Sequence, residues 1–100
     1  MANTPTQTER DRLEREIERR EVKRRALDLA LGEFLHEGRR TRDALERVGG
    51  HSHALEAKAR GLKKNVKMTR QDLEQTDREI ENLQRHLAKI DTEIDHSKDS

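Results

Sequence analysis

Apolar residues recur along most of this chain at intervals that alternate between four and three. The run is most regular near the C-terminus, where Ile80, Leu83, Leu87, Ile90 and Ile94 follow one another at these intervals. This is the a and d pattern of a helix that packs lengthwise against another helix. We call these positions the heptad seam; its members are Leu13, Ile17, Arg20, Arg24, Leu27, Leu31, Phe34, Gly38, Thr41, Leu45, Val48, Ser52, Leu55, Ala59, Leu62, Val66, Thr69, Leu73, Thr76, Ile80, Leu83, Leu87, Ile90 and Ile94.

Two consecutive glycines, Gly49 and Gly50, divide this pattern into halves of similar length. They suit the left-handed end of one helix, and Ser52 suits the N-terminal cap of the next. The alternative is one continuous helix in a parallel coiled coil, which the two glycines would destabilise by about 2 kcal/mol relative to alanine. The sequence therefore predicts an all-α fold, a long antiparallel helical hairpin of the coiled-coil type.

The predicted hairpin has arms at residues 9–48 and 53–95, joined by a turn at 49–52. Residues 1–8 and 96–100 are small and polar, and we predict disordered tails there, with Thr8 capping the first helix. Folding the chain at Gly50 places residues whose numbers sum to 100 opposite each other, so Leu13 faces Leu87, Ile17 faces Leu83 and Gly38 faces Leu62.

Arg20 and Arg24 are charged residues at seam positions. Their aliphatic stems can cover apolar surface while the guanidinium groups reach water. Each is also within reach of a carboxylate across the seam, Asp77 or Glu79, and polar seam residues sometimes specify register or partner.

The composition is too polar for a broad core, because 29% of residues are hydrophobic, 43% are charged and one is aromatic. Residues 22–35 nevertheless carry more apolar side chains than a two-helix seam requires. Either alanines are simply exposed there, or a second interface covers them in a dimeric four-helix bundle or a larger helical complex. The predicted partner-binding residues are Leu27, Leu29, Leu31, Phe34 and Leu35.

Charge is unevenly distributed although the formal net charge is only +1. Residues 38–70 contain 10 basic and 3 acidic side chains, whereas 71–100 contain 4 basic and 9 acidic. A hairpin would therefore have a basic tip that can bind nucleic acid or an anionic membrane, associate head-to-tail with an acidic end, or simply be solvated. The candidate anion-binding residues are Arg39, Arg40, Arg42, Arg47, Lys58, Arg60, Lys63, Lys64, Lys67 and Arg70.

The sequence contains few residues in patterns typical of catalysis, metal binding or cofactor binding. His51 and His53 could share a metal, but the chain has no cysteine and the nearest carboxylate is the single Glu56. No phosphate-binding glycine loop occurs, and a thin helical pair has no concave substrate pocket. We predict no catalytic residue, no metal, no cofactor, no small-molecule substrate and no enzyme activity. We expect a soluble, cytoplasmic protein, because no apolar run approaches the length of a membrane span.

One family resemblance can be stated on particular residues. From Leu45 onward the pattern L-E-x-V-x-G, continued by Leu55, Ala59 and Leu62, resembles the layered heptads of a Q-type SNARE helix. The resemblance covers about half of the chain and implies a continuous helix acting in membrane fusion. The Gln or Arg of that family's central layer is replaced here by Thr69.

Three functions follow from these patterns. The preferred one is a non-enzymatic coiled-coil interaction or scaffold protein, which assembles with itself as a homodimer or with helical protein partners. The alternative is binding of nucleic acid or an anionic membrane at the basic tip. The third is the SNARE-like fusion helix.

Overall fold

The structure, a computed structural model, describes residues 5–99 and consists of two helices. Helix α1 spans Pro5–Arg47 and helix α2 spans His53–Asp99, with 43 and 47 residues. They form an antiparallel hairpin, and no strand is present between residues 5 and 99. The predicted all-α hairpin is confirmed, and the continuous helix that the SNARE resemblance requires is wrong, because the chain turns between Arg47 and His53.

The turn has the chemistry that its sequence predicts. Gly49 and Gly50 have φ of 76° and 81°, a left-handed conformation that side chains disfavour. The Gly50 N–H donates to the Leu45 carbonyl at 2.8 Å and the Gly49 N–H to the Glu46 carbonyl at 3.1 Å. This is the Schellman arrangement, which satisfies carbonyl groups at the end of α1.

Ser52 caps α2, as predicted. Its Oγ accepts a hydrogen bond from the Leu55 backbone N–H at 3.3 Å, so one otherwise unpaired donor of the first helical turn is satisfied. Glu56 supplies a negative charge in that same turn, where the helix dipole favours it.

The helices extend further towards both termini than the sequence suggested. Helix α1 begins at Pro5, so residues 5–8 are helical and Thr8 is not a cap. Proline suits a first helical position because its fixed φ is helical and its missing N–H would have no partner there. Helix α2 continues through residues 96–99, and the rest of the predicted tails, residues 1–4 and 100, lies outside the described residues.

The chain divides into two compact units. The turn unit is Arg25–Glu74, and the termini unit is Met1–Arg24 with Gln75–Ser100. In the termini unit the seam buries Leu13, Ile17, Ile80 and Ile90, together with Thr76.

In the turn unit the buried seam residues are polar. Thr41 and Thr69 are buried, whereas Phe34, Leu62 and the other large seam residues there, apart from Val48, remain half-buried. Val48 departs from the predicted seam: it lies beyond the end of α1, and 53% of it is exposed.

Alanine substitutions at glycines are expected to have opposite effects on stability. Gly61 lies within α2, and a Cβ added there meets no atom within 4 Å, so Gly61→Ala should raise the free energy of unfolding by about 0.5–1 kcal/mol. Gly49→Ala should lower it by about 1–2 kcal/mol because alanine disfavours positive φ. Urea denaturation of both variants checks the signs, and equal effects would contradict the turn geometry.

Candidate interaction surface

An open groove of about 400 Å³ runs along the turn unit. Its floor is apolar: Phe34 and Leu35 come from α1, and Leu62 and Val66 come from α2. Arg42 and Lys63 lie at its edges, one from each helix. We call this surface the basic groove, and its complete lining is Phe34, Leu35, Gly38, Arg42, Ala59, Leu62, Lys63 and Val66.

The groove exists because two seam positions carry almost no side chain. Gly38 has none and Ala59 has only a methyl group, so neither fills the space between the helices. A Cβ built on Gly38 meets no atom within 4 Å, which shows that space is open at this position. Phe34 and Leu62 remain half-buried beside that gap. Apolar surface is therefore left accessible in a place where most helix pairs close it.

The predicted partner-binding residues fall into three groups. Phe34 and Leu35 lie together in the groove, and Leu27 and Leu31 are half-buried seam residues outside its lining. Leu29 does not line the groove, and 71% of it is exposed, the largest value among the exposed large apolar residues.

The apolar groove residues of α2 were not among the predicted site residues, whereas Lys63 was. Ala59, Leu62 and Val66 were predicted as seam residues but not as a binding surface. The signal that could have found them was the register itself, which places Leu62 opposite Gly38.

The cations of the turn unit are largely unneutralised. Of the predicted anion-binding residues, Arg40 and Lys58 have an ion-pair partner, and both pair with Glu37, at 3.5 and 3.3 Å. Within the described part of the chain, no ion pair involves the others: Arg39, Arg42, Arg47, Arg60, Lys63, Lys64, Lys67 and Arg70. Arg42 and Lys63 both line the groove, whereas Lys58 pairs with Glu37.

Several of the remaining cations form rows beside the groove. Residues three or four apart share one face of a helix. Arg39 therefore lies in a row with Leu35 and Arg42 on α1. Arg60, Lys67 and Arg70 lie in a row with Lys63 on α2. The apolar groove is thus bordered by exposed, unpaired positive charge.

Several charges in the termini unit are instead paired across its two helices. Arg20 donates to Glu79 at 2.7 Å and Arg24 donates to Asp77, each one residue from the position predicted opposite it. Arg20 also binds Glu16 on its own helix. The interpretation that these seam arginines reach carboxylates across the seam is confirmed. Hydrogen bonding with Glu79 raises the pKa of Arg20, so Arg20 stays charged.

The Arg20–Glu79 pair is expected to make stability depend on pH. Hydrogen bonds from Arg20 and then Gln75 lower the pKa of Glu79 below its ordinary value. The pair should therefore stabilise the fold above the unfolded pKa of about 4.3, and this stabilisation should fade as pH falls through the folded pKa. Glu79→Gln should lose more stability at pH 7 than at pH 3, measured by urea denaturation. Glu93→Gln, at an exposed site, is the control.

The two turn histidines lie close together at the start of α2. His51 and His53 line a small hollow with Ser52 and Glu56. Across the described residues, no group of three or more histidine or acidic side chains is placed to hold a metal ion. Among the same residues, no helical segment has the length and apolarity needed to cross a membrane.

The fold and surface define a helical hairpin with an apolar groove bordered by cations. No known family model, curated protein or solved structure matches this chain.

Proposed function

We propose that this protein is a non-enzymatic assembly protein, in which the basic groove receives a helix from another chain. The observation that carries this proposal is the gap at Gly38 and Ala59, beside which Phe34, Leu35, Leu62 and Val66 line one open groove. An apolar groove between two helices is the surface on which an amphipathic helix docks in the helix-in-groove mode. A third helix would remove from water the apolar surface that two helices leave open.

Polar residues at the edge of the groove support the same function. Arg42 and Lys63 are exposed, and no ion pair is formed by either within residues 5–99. Charged side chains around an apolar centre are the usual anatomy of a protein interface, and they guide the choice of partner more than they add affinity. The groove therefore selects a helix whose flanking residues are acidic.

Cysteine protection tests whether the groove is covered in the protein's native setting. The chain has no cysteine, so Leu35→Cys introduces a unique thiol in the groove. We expect a maleimide to label it several-fold more slowly in extract of the source cells, or in concentrated protein, than in dilute purified protein. Lys89→Cys, at an exposed position on α2, is the matched control and should label equally in all conditions.

A variant with a filled groove distinguishes docking in the groove from non-specific protection of the thiol at position 35. Gly38→Leu places a bulky side chain in the open space and should abolish the protection at position 35. Gly61→Leu, at an exposed helical position outside the groove, should leave the protection intact. Equal labelling of the Leu35→Cys variant in dilute protein, concentrated protein and extract would show that nothing occupies the groove, and the proposal would fail.

A second candidate function, binding of nucleic acid or an anionic membrane, is favoured by the unpaired cations of the turn unit. Phosphate binding by such side chains weakens steeply with salt and is independent of base sequence. The test is the affinity of the purified chain for duplex DNA, RNA and phosphatidylserine vesicles over a salt series. Lys63→Ala with Lys64→Ala should reduce the salt slope by about two if both lysines contact phosphate. An unchanged slope would reject this candidate.

A further inference from the structure

We propose that the occupant of the basic groove is a second copy of this chain, docked through an acidic row on its helix α1. This inference rests on the proposed function, since it names the helix that the groove receives. The acidic row consists of Asp11, Glu14, Glu18 and Glu21, all in the termini unit.

The acidic row and the cationic row beside the groove have the same spacing. Along α1 the acidic positions follow at intervals of three, four and three. Along α2 the cationic row of Arg60, Lys63, Lys67 and Arg70 follows at three, four and three. Each set therefore lies on one face of its helix with the same pitch. Two such helices can place four acids beside four bases in either direction.

Both rows retain charge that their own copy does not neutralise. Glu14 pairs with Arg10 on its own helix at 3.0 Å. For the other three acids, and for all four members of the cationic row, no ion-pair partner is found among the side chains of residues 6–96. Each of these seven side chains is exposed except Glu21, which is half-buried. Opposite charges that are left unpaired in each copy are free to pair between copies.

The acidic row also has an apolar neighbour suited to the groove. Val22 follows Glu21 and lies one helical turn after Glu18, and 57% of it is exposed. An exposed valine at the end of the acidic row can enter an apolar hollow that Arg42 and Lys63 also line. Two copies that met groove to groove would instead oppose their cations, which is unfavourable. The acidic row of α1 therefore fits the groove better than a second groove does.

The experiment reverses the charge of the cationic row in one variant and the charge of the acidic row in another. One variant reverses the groove side with Lys63→Glu and Lys67→Glu, and the other reverses the acidic row with Glu18→Lys and Glu21→Lys. These positions are in no ion pair within the described residues, so both variants should keep the helical circular dichroism of the native chain. Sedimentation of purified proteins at about 0.05 M salt, where charges are weakly screened, measures self-association.

We expect each variant alone to self-associate at least about tenfold more weakly than the native chain, because like charges then face each other. An equimolar mixture of the two should recover association, since the reversed groove of one then faces the reversed row of the other. Arg47→Glu with Lys64→Glu changes the net charge equally but lies outside both rows, and it should associate like the native chain.

Three results would overturn the second-copy occupant. One is a native chain that stays monomeric at about 100 µM, a concentration well above the micromolar or lower dissociation constants of specific complexes. Another is a mixture of variants that associates no better than its components, and the third is a control variant as impaired as the groove variant. If the purified chain is monomeric while the thiol of the Leu35→Cys variant is still protected in cell extract, the groove binds another molecule. The proposed docking function then stands, and the proposal that a second copy occupies the groove fails.

Discussion

Replacing Ile80 with alanine is expected to lower the free energy of unfolding by about 2–4 kcal/mol. Ile80 is only 8% exposed and is one of four large apolar residues buried in the described part of the chain. The alanine removes buried methyl and methylene groups and leaves a cavity that two paired helices can only partly close. Small domains are stable by about 5–15 kcal/mol, so a loss of this size is a large fraction of the total.

Leu29→Ala is the control, since 71% of Leu29 is exposed and its truncation should change stability by less than about 0.5 kcal/mol. Urea unfolding followed by helical circular dichroism compares the two variants. The protein must be dilute, because self-association would add stability that depends on concentration. Similar losses at positions 80 and 29 would contradict the placement of the core in the heptad seam.

The regular features of the fold were predictable because local chemistry determines them. The four-three spacing defined the seam, and Gly49, Gly50 and Ser52 end one helix and begin the next through contacts within a few residues. The register followed from the turn, since Arg20 and Arg24 pair within one residue of the expected positions. None of these features depends on how tightly the helices close.

The groove was harder to predict because it depends on side-chain volume across the seam. The sequence places Gly38 and Ala59 at seam positions but does not show whether the helices close over the resulting gap. Leu29 and Leu35 looked equivalent as apolar residues outside the seam, yet Leu35 lines the groove and Leu29 does not. The pairing state of each cation was likewise inaccessible, because it depends on which carboxylates lie within reach on the folded surface.

Replacing Thr76 with valine is expected to raise the free energy of unfolding by about 1–3 kcal/mol. Thr76 is 0% exposed, and no atom in the described part of the chain forms a hydrogen bond with its Oγ1. Valine has nearly the same shape and a similar helix propensity, so the substitution removes the desolvation cost of the hydroxyl while keeping the packing. Thr41 is buried with an unpartnered Oγ1 as well, and Thr41→Val should act in the same direction in the turn unit.

Thr92→Val is the matched control, because this exposed hydroxyl donates to the Ala88 carbonyl at 3.0 Å and its loss should bring no gain. Thermal unfolding of the three variants in dilute protein measures the differences. A destabilised Thr76→Val would mean that the hydroxyl has a partner, such as water. A stabilised one would show that the seam keeps polar residues at a cost in stability.

Polar seam residues that lower stability are known to specify register and oligomeric state. We therefore expect Thr76→Val to weaken the preference for two-helix pairing, which sedimentation would detect as larger species.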